Sequence, residues 1–312
     1  MKAAAALELE HVSRRLAGRT IVEALDFGLA RGRVLGLLGV NGAGKSTTLR
    51  MIAGLLAPSA GSVRVDGVDL AARDGHARRA IGYLPEEPPL YAELTVHEYL
   101  RFCARLHGLP ASAIDAAVER ATERCGLGEM RRRLCGLLSK GFRQRVGIAQ
   151  AIVHEPALVV LDEPAAGLDP VQALRLRDLV AGLRDAHAVV LSTHVLSDVT
   201  ACCDEVVILH RGRVRHAGTL AELERDAWLV VRTTRAVEAA EWASLPVVAE
   251  ARPGGDACSW RLRLEGGAGA GALAAAIGEH GFGLDELRAE HGALEQLFVT
   301  IAAEDSIEGK AA

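Results

Sequence analysis

Short apolar runs open the chain: ALELEHV, ALDFGLA and RVLGLLG alternate with polar positions across residues 5–40 and are interrupted by Gly18, Gly28 and Gly32. This texture predicts an N-terminal sheet, because half-buried strands alternate apolar and polar side chains. The last run, 34–38, is apolar throughout and leads directly into GVNGAGKST. A helix is expected from about Lys45, stopping before Pro58. GSVRVDG then reads as an edge hairpin, and IGYLP, 81–85, as a short strand ended by proline.

From Thr95 the period changes. Thr95 and Glu98 have the spacing of a capping box, and Val96, Tyr99, Leu100, Cys103 and Leu106 recur at helical intervals. A second helix over 112–125 and a third after Ser139 make an all-helical insert, about 90–155, within an α/β pattern. Strands resume with ALVVLDEP and HAVVLSTH, continuous apolar runs of the kind found in parallel strands covered on both faces. VVILHRGRV predicts a hairpin and GTLAELERD a closing helix. The boundaries drawn are 1–225 for the main domain and 226–303 for a small α+β domain. The latter has strands in WLVVRTT and SWRLRLEG, a Gly/Ala-rich segment and a helix over 293–302. A disordered tail is expected over 304–312.

Composition narrows the function. The 312 residues are 50% hydrophobic and 24% charged, with a formal net charge of -4, so no overall basic field points to nucleic acid. No apolar run reaches the length of a membrane-spanning helix, and KAAAAL is followed at once by Glu8, Glu10 and His11, unlike a signal peptide. A cytosolic chain without direct lipid insertion is expected. The six cysteines show no C-x-x-C pair and the eleven histidines are scattered, which favours reduced structural thiols over a metal site.

The chemistry lies at the predicted strand ends. Gly39, Gly44, Lys45 and Ser46 satisfy G-x-x-x-x-G-K-[ST] between a strand and a helix. Residues Gly39, Val40, Asn41, Gly42, Ala43, Gly44, Lys45, Ser46 and Thr47 would wrap phosphates in backbone N–H groups. Lys45 would neutralise their charge, and the Ser46 hydroxyl would help hold Mg2+. Open α/β sheets gather ligands at the carboxyl ends of their strands. Asp162 and Glu163 follow LVVL, placing one carboxylate to hold magnesium and the next to polarise an attacking water. His194 ends the following strand, in reach of a terminal phosphate. Ser139, with Gly141 just inside the predicted helix, describes a helix N-terminus open to an anion.

In order and separation, GVNGAGKST, LSKGFRQRV, LVVLDEP, AGLDP and STH resemble the nucleotide-binding subunit of ATP-binding cassette (ABC) transporters, across about residues 7–224. The resemblance implies a P-loop NTPase cassette with an N-terminal antiparallel β subdomain and a helical insert. It also implies ATP hydrolysis with Glu163 and His194 as catalytic groups, and a head-to-tail dimer of cassettes, homodimer or pseudo-dimer. In that dimer Ser139, Lys140, Gly141 and Asp169 would meet the ATP of the opposite chain. The insert would dock on separate polytopic membrane permease subunits, placing the chain in the cytoplasm against the inner face of the membrane. The ending ALEQLFVTI is similar to the small domain of cassettes serving ABC-2-type exporters. A soluble non-transport ABC ATPase and a P-loop kinase are the alternatives.

Three positions depart from the family pattern. Phe142 replaces the usual signature glutamine. Glu86 replaces the Q-loop glutamine, where it could face magnesium or the attacking water but donates no amide hydrogen. Leu16 stands where an aromatic normally stacks on adenine, so weak discrimination of ATP from GTP is expected.

Overall fold

The computed structural model describes residues 5–72, 75–225, 228–266, 268–289 and 292–308. The chain forms two compact units divided between Ala217 and Gly218. That division puts the helix after Thr219 in the second unit, whereas its sequence was assigned above to the first.

In the first unit β1 (Ala5–Leu16) and β2 (Arg19–Ala30) form a long antiparallel hairpin. The interruption expected at Gly28 does not occur, because Gly28 pairs with Glu8 inside the ladder, and the chain turns at Ala17 and Gly18, both of positive φ. β3 (Val34–Leu38), α1 (Lys45–Ile52), the hairpin β4 (Ala60–Val65) and β5 (Val68–Asp69), the short α2 (His76–Arg79) and β6 (Ile81–Leu84) follow. The N-terminal sheet has the order β2-β1-β4-β5, with the hairpin at its edge.

The insert contains α3 (Val96–Leu106), α4 (Ala111–Arg124) and α5 (Lys140–Ile152). The Thr95 hydroxyl accepts from Glu98 N while the Glu98 carboxylate accepts from Thr95 N at 2.9 Å, so two otherwise unpaired donors at the start of α3 are satisfied. Val96, Tyr99, Leu100 and Cys103 line its buried face. β7 (Leu158–Leu161), α6 (Pro170–Leu183), β8 (Ala188–Thr193), α7 (Leu196–Cys202), β9 (Glu205–His210) and β10 (Arg213–Thr219) complete the main sheet, in the order β10-β9-β3-β8-β7-β6.

The pairs β3·β8, β3·β9, β7·β8 and β6·β7 are all parallel, and every residue of β3, β7 and β8 is buried. Their side chains divide by parity. Val159, Leu161, Val189 and Leu191 join the core under the helical insert, while Leu158, Val160, Val190 and Leu35 join the core shared with the N-terminal sheet and α1. Two covered faces explain the uninterrupted apolar runs.

In the second unit α8 (Leu220–Arg225), β11 (Leu229–Thr233), α9 (Ala239–Ala243), β12 (Val248–Pro253), β13 (Ser259–Leu264), α10 (Ala270–Glu279), β14 (Leu284–Ala289) and α11 (Ala293–Glu308) follow in order. Its antiparallel sheet runs β12-β13-β11-β14, so β11 through β14 with α9 and α10 make the β-α-β-β-α-β arrangement of the ferredoxin-like fold. The core holds Trp242, Trp260, Leu262, Leu273, Ile277 and Phe282. The sequence reading found β11 and β13 but neither β12 nor β14. The helix over 293–302 continues to Glu308, into the stretch expected to be disordered, because nothing from Ala302 to Glu308 is glycine or proline. Residues 309–312 of that stretch lie outside the described residues.

All six cysteines are free thiols, and Cys103, Cys125, Cys135 and Cys202 are buried. Among the described residues, no helix is long and apolar enough to cross a membrane.

Three histidines gather where the insert joins the sheet. His107, at the end of α3, stacks on His154, just past α5, with ring centroids 3.6 Å apart and planes within 4°. The His187 Nδ1 bonds the Pro156 carbonyl at 2.6 Å, and Arg124 reaches its Nε2 at 3.2 Å. Burial pushes His154 down to about 4, with His107 and His187 adding repulsion against the Ile81 carbonyl bond; burial is also the main cause lowering His107 and His187. The folded chain thus holds neutral rings that the unfolded chain protonates below about 6.5. Their contribution is complete above that value and declines as the pH falls towards 4. Urea unfolding should show a midpoint that falls across this window, and His154→Phe should make the slope shallower.

Candidate functional site

β3, β8, β7 and β6 lie side by side in the main sheet, so their carboxyl ends open onto one region. The loop after β3 enters α1 through Gly44, whose φ is 104° and where a Cβ would sit 2.6 Å from Val22 Cγ1; only glycine fits. A cavity of about 510 Å3 lies over this loop, lined by Val40, Asn41, Gly42, Ala43, Gly44, Lys45, Ser46 and Thr47, with Ile21, Glu86, Glu163, Ala166 and His194 around it. Gly39 sits just beneath, its carbonyl accepting from Lys45 Nζ at 2.7 Å.

The charges interlock. Lys45 is 7% exposed, and its ammonium lies 3.6 Å from Glu163 Oε1, while His194 Nδ1 lies 2.9 Å from Glu163 Oε2. Glu163 therefore bridges a lysine and a histidine over the phosphate loop. Its backbone holds φ 46°, a costly conformation for a side-chain-bearing residue. The Glu163 N–H is anchored on Ser192 Oγ at 2.9 Å, and the Ser192 hydroxyl donates to Asp162 Oδ1 at 2.7 Å. Ser46 Oγ approaches the same Asp162 oxygen at 3.3 Å. One buried serine near the end of β8 thus holds the Asp162 carboxylate and the Glu163 backbone, the two residues that follow β7. Sequence reasoning quoted STH without seeing this role; its signal was a hydroxyl closing an otherwise apolar strand.

Leu16 is not part of the cavity lining. It ends β1 at the hairpin tip, opposite Arg19, and stays 41% exposed, whereas Ile21 on β2 reaches the lining. Glu86 borders both this cavity and a second of about 400 Å3, lined also by Glu87, Pro88, Lys140, Arg143, Gln144 and Ala166.

Ser139 caps α5, its hydroxyl accepting from Phe142 N at 3.4 Å. Ser139 and Gly141 line a separate small cavity with Phe142, Leu168 and Gln172, and the Gln172 amide lies where a Cβ on Gly141 would be. Asp169 caps α6 through Gln172 N at 2.9 Å. None of Ser139, Lys140, Gly141 and Asp169 lines the cavity over the phosphate loop.

The family model for ABC transporters matches residues 22–166. The ABC transporter ATP-binding protein YxlF of Bacillus subtilis (strain 168) is 37% identical over 220 residues, spanning 70% of this chain and 73% of the relative. This chain belongs to the ABC transporter ATP-binding proteins. The linearmycin resistance ATP-binding protein LnrL of the same organism is 34% identical over 218 residues, 70% of each chain. The solved structure of cbiO1 from Clostridium perfringens, part of the ABC transporter complex cbiONQ, superimposes with a TM-score of 0.66 at 30% identity, covering 70% of this chain and 90% of that one. As an ABC transporter ATP-binding subunit, the chain binds ATP and is an ATPase whose hydrolysis is coupled to transport.

Proposed function

We propose that this ABC subunit works as a pair of cassettes that close on two ATP molecules and drive separate membrane subunits in export, from the cytoplasmic face of the membrane. The observation carrying the pairing is the separation within one chain: Ser139 and Gly141 line a different cavity from the phosphate loop, so they are not placed on the nucleotide of their own chain, which supports a second chain as the source of the anion they bind. The export direction is supported by LnrL, named for resistance, and by the small second unit.

In this reading Lys45 leaves Gly39 O and Glu163 to neutralise the terminal phosphates. Glu163, freed from Lys45, accepts a proton from the attacking water, and His194 Nδ1 holds it in line. Ser46 Oγ and Asp162 suit Mg2+, which takes one or two protein oxygens and keeps several waters; bound there, the ion would offset phosphate charge. Among the described residues, no group of three or more His, Cys, Asp or Glu could hold a metal ion. Glu86 lies at the cavity wall, where it can face that ion or the water. Lys140 and Asp169 flank the phosphate of the opposite chain.

Ser139→Arg tests the pairing. Single chains of this variant should bind ATP normally, while ATP-driven dimerisation, read by light scattering, should vanish; unchanged dimerisation would remove the opposite-chain role. Recovery of a polytopic protein with this chain from native membranes would support the transport reading over a soluble remodelling ATPase. The base contact is a further check. Neither Ile21, which lines the cavity, nor Leu16 at the hairpin tip carries a ring that could supply the stacking worth about 1–3 kcal/mol at other base-binding sites. The kcat/KM values for ATP and GTP should therefore differ by only a few-fold, and a large ATP preference would contradict a base site without an aromatic ring.

A further inference from the structure

β6 is the edge strand of the main sheet, and its carbonyls divide by direction. Ala80 O and Leu84 O accept from Leu158 N and Asp162 N on the β7 side. Ile81 O and Tyr83 O point outward, where an unprotected edge would expose them. Here side chains from α5 and the residues just after it cover that edge. His154 Nε2 donates to Ile81 O at 3.2 Å, Gln150 Nε2 to Tyr83 O at 2.8 Å, and Gln144 Nε2 to Glu86 O at 3.0 Å. Helix and strand touch at backbone level as well, because a Cβ on Gly82 would run into the Ala151 carbonyl.

The last rung differs from the others. Ile81 and Tyr83 lie within the strand, but Glu86 lies beyond it and lines the cavity over the phosphate loop. Gln144 is 1% exposed, and its amide bonds the carbonyl of Glu86, a residue that lines this cavity. The same helix begins at Ser139, and its first turn supplies Lys140 and Arg143 to the second cavity, which shares Glu86 with the first.

We propose that Gln144 is a positioning residue for hydrolysis: it fixes the Glu86 peptide to the signature helix, so that the Glu86 carboxylate takes its place over the phosphates only when that helix is seated. This rests on the reading in which Ser139 engages ATP of a second chain. Seating of α5 by one nucleotide then sets Glu86 at the other. Gln144 touches no nucleotide and acts only through Glu86.

The test is a double-mutant cycle in the full chain, reading kcat and, separately, ATP affinity. Gln144→Leu keeps the volume and removes the donor; kcat should fall about ten-fold, the effect of one lost buried hydrogen bond, with ATP affinity unchanged. In a Glu86→Ala background the same substitution should change kcat less than two-fold, since what it positions is gone. Gln150→Leu breaks the neighbouring rung, which leads to no cavity residue, and should lower the unfolding midpoint while leaving kcat unchanged. Losses from Gln144→Leu and Glu86→Ala that multiply would overturn the proposal, as would equal kcat losses in the Gln144 and Gln150 variants. If Gln144→Leu does not fold, Gln144→Glu, nearly isosteric and without a donor, runs the same cycle. Failure of the pairing itself shows separately, as normal ATP-driven dimerisation and hydrolysis in Ser139→Arg.

Discussion

Glu163→Gln is expected to lower the hydrolysis rate about 10²–10⁴-fold, the usual contribution of a positioned general base, while ATP binds more tightly than to the unaltered chain. Both effects follow from one carboxylate. Glu163 Oε1 stands 3.6 Å from Lys45 and Oε2 stands 2.9 Å from His194, so without nucleotide it occupies the attention of the cation that ATP needs. An amide has no charge to compete for Lys45, and it takes no proton from water. The protein should accumulate as a closed, ATP-loaded dimer, visible by size-exclusion chromatography in ATP and magnesium. Normal turnover by this variant would show that another group activates the water.

Lys45→Ala should reduce hydrolysis about 10²–10³-fold, comparable with removing one preorganised donor from a developing oxyanion. The loss should appear in ATP affinity as well as in rate, because the ammonium serves the ground-state phosphates too. It should therefore abolish dimer closure, the opposite outcome to Glu163→Gln. Equilibrium binding of a fluorescent ATP analogue separates the two variants: affinity rises in one and falls in the other. Parallel behaviour would mean that Glu163 and Lys45 do not compete.

Much of this site was legible because its parts are contiguous in sequence. The run 34–38 and the motif after it are neighbours, and β7 and β8 are apolar on both faces, so their ends could be located without knowing the fold. Leu16 shows the limit. Whether Leu16 or Ile21 meets the cavity depends on the twist and bulges of the β1–β2 hairpin, which has register shifts at four places, and no local pattern encodes those. Gln144 shows another. Its partner is a backbone carbonyl 58 residues away, so nothing at position 144 marks it. In the second unit β12 and β14 carry Glu250, Arg252, Glu286 and Arg288, whose charges ion-pair within the sheet and mask the alternation expected of strands.

The three tryptophans of the chain, Trp228, Trp242 and Trp260, all fall after residue 218. Trp242 is fully buried and stands edge-on to Phe282 at 5.2 Å. Tryptophan emission, excited to the red of the three tyrosines, Tyr83, Tyr91 and Tyr99, is therefore a private report on the smaller half. A melting curve followed by tryptophan fluorescence describes that half alone, and the larger half can lose its catalytic architecture without dimming the signal.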